Sequence, residues 1–248
     1  MRNVLNALRV LEEVASRQPV GVGELARVLE IPKSSVQRAL VTLSTAGWIR
    51  PSAGELTRWV MTSKALTVGG QGSGGLDLRK AALPIMEELR RSTDETIHLA
   101  VPEDDRVVLI ERLETSKPVR IIMALGHAFP LHASANGKAI LAHGRPELIN
   151  RVLAHELPRF TETTIDDASE LRAELALIRE RGFAVNRGEW RADVGCVAAA
   201  VLGAERQPIA SISINLPVSR LSEESVPLFG AAVGQASRAV STRLGYES

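Results

Sequence analysis

Apolar residues recur at three- and four-residue spacing from the start of the chain. Val4, Leu5, Leu8, Leu11, Val14 and Ala15 fall on one face of a predicted helix that ends near Arg17-Gln18-Pro19. A shorter helix is predicted from about Gly23 to Leu29, with Leu25, Ala26 and Leu29 inward. The segment Ile31-Pro32-Lys33-Ser34-Ser35 then has the composition of a turn in which Ser34 or a neighbour caps a third helix, whose residues Val36, Leu40, Leu43 and Ala46 keep the helical period up to Gly47. Beyond it the period changes to two: Trp48-Ile49-Arg50-Pro51 reads as extended, Ser52-Ala53-Gly54-Glu55 as a turn, and Thr57 to Met61 as a second strand. Three helices followed by a hairpin predict a winged helix-turn-helix.

Residues 69–75 read GGQGSGG, which offers nothing to bury and predicts a linker. Past it, Leu78, Ala82, Ile85 and Leu89 mark a helix, and two alternating runs, 96–101 and 106–112, flank the acidic turn Pro102-Glu103-Asp104-Asp105. Further strands are predicted at 120–123, 183–186, 195–202 and 209–216, and helices at 137–143, 169–181 and 223–244. Hairpins mixed with packing helices define an α+β domain. The expected organisation is a winged helix-turn-helix over 1–66, a linker and connecting helix over 67–92, and an α+β domain over 93–248.

A length of 248 residues with 45% hydrophobic content supports two such cores. The formal net charge of +1 hides an asymmetry: residues 1–68 hold 9 Lys and Arg against 5 Glu, while the remainder holds 21 basic and 24 acidic residues. A basic N-terminal part on a slightly acidic body points to a nucleic-acid partner at that end. No segment approaches the roughly 18 apolar residues of a membrane span, and the N-terminus lacks the apolar run of a secretory signal. A single cysteine excludes an intramolecular disulfide and fits a reducing, cytoplasmic setting.

Within a helix-turn-helix the third helix enters the major groove. Gln37 and Arg38 have the donors and acceptors for adenine and guanine edges, and Thr42 lies on the same polar side. Lys33, Ser34 and Ser35 suit phosphates at the helix start, and Arg50 and Arg58 would carry the wing along the neighbouring backbone or minor groove. In the second domain, Ser211, Ser213 and Asn215 alternate on one strand and share a face, which is either solvated or a pocket floor. Asn136 and Gly137 open a helix whose free N–H groups suit a carboxylate. Phe129 and Trp190 offer room for an aromatic ring.

Cys196 stands in the apolar run Val194-Gly195-Cys196-Val197-Ala198 and could be a pocket wall, plain core or a thiol nucleophile. A nucleophile would need a base, and none of the five histidines, at 98, 127, 132, 143 and 155, sits in a recognisable catalytic context. Neither histidine pairs with metal-ligand spacing nor a phosphate-binding glycine loop is present, so no cofactor or metal is expected.

The stretches Ser35 to Leu43, Ala46-Gly47-Trp48-Ile49, Thr96-Ile97-His98-Leu99-Ala100, Gly126 to Ala139 with its core Pro130-Leu131-His132-Ala133-Ser134-Ala135-Asn136-Gly137-Lys138-Ala139, and Gly195-Cys196-Val197-Ala198-Ala199 together resemble the IclR family of bacterial transcriptional regulators. The resemblance implies a GAF-like effector domain that binds a small carboxylate or aromatic acid. It also implies a homodimer or homotetramer on double-stranded operator DNA, acting as a ligand-responsive regulator, a repressor, and not an enzyme. It further implies a pocket at Ala135, Asn136, Asn186, Cys196, Ser213 and Asn215. Asn186 stands where an acidic residue can occur and Asn215 where a serine can, which changes the donors and acceptors offered to the ligand. The alternative is a GAF-like redox sensor or enzyme that uses Cys196.

Overall fold

The computed structural model describes residues 2–53, 57–71 and 75–245. The chain divides into two compact units, 1–74 and 75–248.

In the first unit, helices α1 (Arg2–Arg17), α2 (Val22–Leu29) and α3 (Lys33–Thr45) are followed by strands β1 (Ile49–Pro51) and β2 (Trp59–Met61) and by helix α4 (Lys64–Gln71). Val10, Val14, Leu25, Val36, Leu40, Leu43, Ile49 and Trp59 form its core. β1 and β2 pair antiparallel, and Val20 adds a bridge to Trp59 that ties the end of α1 to the hairpin.

Three expectations for this unit need correction. The apolar stripe of α1 splits: Val10 and Val14 are buried, whereas Val4, Leu5 and Leu8 are 65%, 61% and 49% exposed. Only the stretch that faces α2 and α3 finds a partner within the unit, so the first two turns lie beyond its core. Secondly, α3 has no side-chain cap; Pro32 holds the N-cap position, and its carbonyl accepts from the Ser35 and Val36 N–H groups. Gly47 does end the helix, in the left-handed conformation (φ 78°) that costs a glycine least. Thirdly, Gly69, Gly70 and Gln71, assigned to the linker, continue α4, and Gly75 begins the next helix. Of the turn assigned to 52–55, Gly54 and Glu55 lie outside the described residues.

The second unit runs α5 (Gly75–Thr93), β3 (Thr96–Glu103), β4 (Arg106–Leu113), β5 (Ala128–Pro130), α6 (Ala135–His143), α7 (Pro146–Leu153), α8 (Ala168–Arg181), β6 (Ala184–Arg187), β7 (Val194–Leu202), β8 (Pro208–Pro217) and α9 (Ser225–Arg243). Its strands form one antiparallel sheet in the order β5-β4-β3-β8-β7-β6. Because side chains alternate across a strand, the sheet has two distinct faces. Ile97, Leu99, Val197, Ala199, Val201, Ile212 and Ile214 pack against α5 and α9. The opposite face carries Thr96, His98, Cys196, Ala198, Ser211, Ser213 and Asn215 in register across β3, β8 and β7, with α6 and α8 over part of it.

The strand predicted at 120–123 does not form. Residues 121–124 join no ladder, although Ile121 and Met123 are buried and Ile122 is exposed as a strand would have them. α7 had no prediction, though Pro146 at its first turn and the apolar Leu148, Ile149, Val152 and Leu153 carry a helical signal. At the start of α6 the backbone passes so close to the end of β5 that a Cβ on Gly137 would lie 2.4 Å from the Leu131 carbonyl oxygen. Glycine is therefore what lets this helix begin directly above the polar sheet face.

Candidate ligand pocket and nucleic-acid interface

α3 buries Val36, Ala39, Leu40 and Leu43, and this fixes what it turns outward. Lys33, Ser34, Gln37, Arg38 and Thr42 are exposed, and Ser35 is half-buried. The helix holds no acidic residue, so this face is a cationic, hydrogen-bonding ridge. The Thr42 hydroxyl donates to the Arg38 carbonyl at 2.9 Å, leaving its lone pairs outward. Arg50 on β1 is exposed. Arg58, expected on the wing, is instead turned back: its Nη1 donates to the Pro19 carbonyl at 2.9 Å and lies 3.9 Å from Glu24. Lys64 is likewise engaged, donating to the Ala46 carbonyl and lying over the Trp48 ring.

In the second unit, α6 starts above the polar sheet face, and between them lies a cavity of about 20 Å³, room for about one water molecule. Ala135, Asn136, Asn186, Cys196 and Asn215, all singled out from the sequence, line it. Ser213 does not; it sits just behind, bonded to Asn215 Nδ2 at 2.9 Å. The structure adds residues that sequence reasoning did not assign to the pocket. His98 lines it from β3, Ile121 and Met123 from the unpaired segment, and Trp190 and Arg191 from the loop between β6 and β7. Phe129 and Trp190, the two aromatic residues noted in the sequence, form one wall with ring centroids 5.5 Å apart.

The polar groups of the pocket are mostly committed. Asn186 donates to the Ala133 carbonyl at 2.5 Å and accepts from the N–H groups of Gly188 and Glu189, so it shapes the loop that carries Trp190. Ser211 donates to Asn136 Oδ1 at 2.9 Å. The Gly137 N–H, expected to be free, donates to the Ser134 hydroxyl, which caps α6. The first two N–H groups of the helix, on Ala135 and Asn136, meet no protein acceptor among the described residues, as the geometry of a helix start dictates.

His98 is the exception. It is fully buried, yet neither ring nitrogen has a hydrogen-bond partner among the described residues. Burial, reinforced by the nearby charge of Arg112 and by His127, pushes its pKa down to about 3, so the ring is neutral. Burial acts the opposite way on Cys196, raising its thiol to about 12; hydrogen bonding with Ser213 offsets only part of this. A buried thiol kept in its protonated form lacks the accessible thiolate that a nucleophile or redox sensor uses, which speaks against the alternative that rested on it.

Lys138, in the second turn of α6, is 1% exposed and donates to both Glu189 oxygens at 2.7 and 2.6 Å. Burial holds the Glu189 carboxyl above its ordinary range even against this partner. The pair pins the loop that bears Trp190 to the helix above the pocket. Sequence reasoning missed it; the signal was a lysine inside the small, apolar run Asn136-Gly137-Lys138-Ala139-Ile140-Leu141-Ala142. Among the described residues, no group of three or more His, Cys, Asp or Glu is placed to hold a metal, and no helix is long and apolar enough to cross a membrane.

Comparison with known proteins agrees with both halves of this description. Residues 4–53 match the family model of the IclR helix-turn-helix domain, and residues 73–242 match that of the bacterial transcriptional regulator IclR C-terminal domain. The chain is 30% identical to the transcriptional repressor IclR of Escherichia coli K12 over 249 residues, covering 99% of this chain and 90% of that protein. The Thermotoga maritima IclR structure superposes with a TM-score of 0.84 at 25% identity, covering 99% of this chain and 100% of that one. An IclR homolog of Microbacterium hydrocarbonoxydans, solved in complex with 4-hydroxybenzoate, superposes with a TM-score of 0.80 at 27% identity over 98% of each chain. An N-terminal DNA-binding helix-turn-helix, an α+β domain with a polar-floored pocket and matches to both family models make this chain a member of the IclR family of transcriptional regulators, not an enzyme.

Proposed function

We propose that this chain is a cytoplasmic, ligand-responsive repressor that binds double-stranded operator DNA through α3 as a homodimer or homotetramer. Its effector is a small carboxylate or aromatic acid, held between α6 and the polar sheet face. Residues 1–66 serve DNA, 67–92 connect, and 93–248 sense.

The observation that carries the sensing half is the cavity with a polar floor beneath the N-terminus of α6, where two helix N–H groups remain to receive an anion. The likeness to a relative solved with 4-hydroxybenzoate supports an aromatic acid. At about 20 Å³ the cavity has room for less than an acid's volume. Entry displaces a wall, and Ile121, Met123, Trp190 and Arg191 are wall residues outside the strand ladders. Opening and closing supply the two states that an effector must bind unequally to regulate anything. The exposed Val4, Leu5 and Leu8 support an oligomer, as an apolar stripe suited to a second copy.

For the DNA half, duplexes are selected from a random pool by the wild-type protein, and Arg38→Ala and Arg50→Ala are then measured on them at fixed salt. Arg38→Ala weakens binding about 10- to 100-fold and relaxes sequence preference, as loss of a bidentate base contact does. Arg50→Ala weakens all sequences alike and lowers the salt dependence. Unchanged affinity in Arg38→Ala overturns the assignment of α3.

A further inference from the structure

The sensing pocket contains one polar group that the fold does not use. His98 lies in the centre of the sheet, its ring nearly parallel to Phe129 with centroids 6.3 Å apart, and neither Nδ1 nor Nε2 has a protein partner. Such orphaned groups are rare in folded proteins, and each costs roughly 1–3 kcal/mol.

The polar groups nearest to it leave it unpartnered. Ser213, its register partner on β8, accepts from Asn215 Nδ2 at 2.9 Å. Arg112, its partner on β4, donates to the Met123 carbonyl and pairs with Glu114 at 2.8 Å. His127 packs on Phe129 and Trp190, and its own Nε2 is likewise buried without a partner among the described residues, but it does not line the cavity. What His98 does face is the cavity.

We infer that His98 is a specificity-determining residue which reads a hydroxyl group on the effector, so that the acid recognised carries a second, uncharged polar group besides its carboxylate. This rests on the carboxylate reading of the same pocket. A neutral imidazole offers one donor and one acceptor, which match a hydroxyl in either direction. It offers no positive charge, so it is a poor seat for the carboxylate, and the start of α6 is the better one. A site built around a buried hydrogen bond also discriminates sharply against a ligand that lacks the matching group, because the protein group is then left unpaired.

The test uses acids in matched pairs that differ by one hydroxyl: acetate with glycolate, butanoate with 4-hydroxybutanoate, and benzoate with 3- and 4-hydroxybenzoate. Calorimetric affinities are measured on the full-length protein and on His98→Leu and His98→Gln. In at least one pair the wild type prefers the hydroxy acid by about tenfold or more. His98→Leu brings that pair to within about twofold, and His98→Gln, which keeps a donor and an acceptor, retains part of the preference. A merely structural histidine would weaken both members of a pair equally. If acids bind but every pair is equal in the wild type, or the preference survives in His98→Leu, the inference is overturned while the pocket stands. If none of the acids binds the wild type, the carboxylate reading fails and the inference fails with it.

Discussion

The two faces of the six-stranded sheet are equally dry and chemically opposite. On the side of α5 and α9, Ile97, Leu99, Val197, Ile212 and Ile214 are fully buried hydrocarbons. On the other side, Thr96, His98, Ser211 and Ser213 are just as buried, with Asn215 at 5% exposure. Both faces belong to the same strands and alternate residue by residue. A sequence selected only to fold would have put hydrocarbon on both, since a buried polar group contributes nothing unless it finds a partner and costs free energy where it does not. The apolar face holds the domain together; the polar face carries the floor of the proposed ligand pocket.

The largest way to break this contrast is to remove the charge buried on the polar side. Lys138→Met leaves Glu189 in a dry site without its cation, and about 3–5 kcal/mol of unfolding free energy should be lost. The double variant Lys138→Met/Glu189→Leu should recover most of that loss, because no isolated charge remains. Urea unfolding of the three proteins checks it. A single variant within about 1 kcal/mol of wild type would mean that water reaches Glu189 and that the polar layer is not dry.

A matched pair of neighbours on β8 sharpens the contrast further. Ile212→Ala removes buried hydrocarbon from between the sheet and α9 and should cost about 3 kcal/mol. Ser213→Ala breaks one hydrogen bond, to Asn215 Nδ2, and should cost about 1 kcal/mol or less. Comparable losses would show that the serines are structural and that the polar face is not reserved for a ligand.

Alternation made both faces legible in the sequence: the stripe of Ser211, Ser213 and Asn215 was visible, as was the hairpin of β3 and β4. What alternation cannot show is whether a polar stripe is covered, since that depends on α6 arriving from over seventy residues away in sequence. The same limit hid Lys138, whose partner lies 51 residues on. It also hid His98, which looks like any strand histidine until its neighbours are seen to be bonded elsewhere. At 120–123 the period of two was read correctly as extended chain but wrongly as a strand, because pairing depends on a neighbour that a single segment cannot reveal. In α1, periodicity showed an apolar stripe and could not say which turns the small unit is long enough to cover. Arg58, expected to follow DNA along the wing, also donates to the Pro19 carbonyl, a partner that lies 39 residues away in sequence and that no local pattern shows.

A further effect, under about 1 kcal/mol between pH 7 and pH 6, concerns the cost of keeping His98 uncharged. In the unfolded chain a histidine takes up its proton near its ordinary value of 6.5, whereas burial keeps His98 neutral in the folded protein down to about 3. Below 6.5 the unfolded state therefore binds a proton that the folded state refuses, and stability falls as pH falls through this window; above 6.5 the contribution is level. Between pH 7 and pH 6 the loss from one such group is less than about 1 kcal/mol, and the slope approaches about 1.4 kcal/mol per pH unit below that. His127, His132 and His143 are lowered by burial too and act with the same sign, and Glu189, raised by burial, acts against them. All four remain in His98→Leu, so the difference between wild type and variant isolates His98. Urea unfolding at pH 8, 7, 6 and 5 should show that difference constant from 8 to 7 and then growing in the variant's favour. Parallel curves down to pH 5 would mean that His98 gains its proton as readily folded as unfolded. The polar face would then be wet, and the contrast between the two sides of the sheet would be one of shape alone.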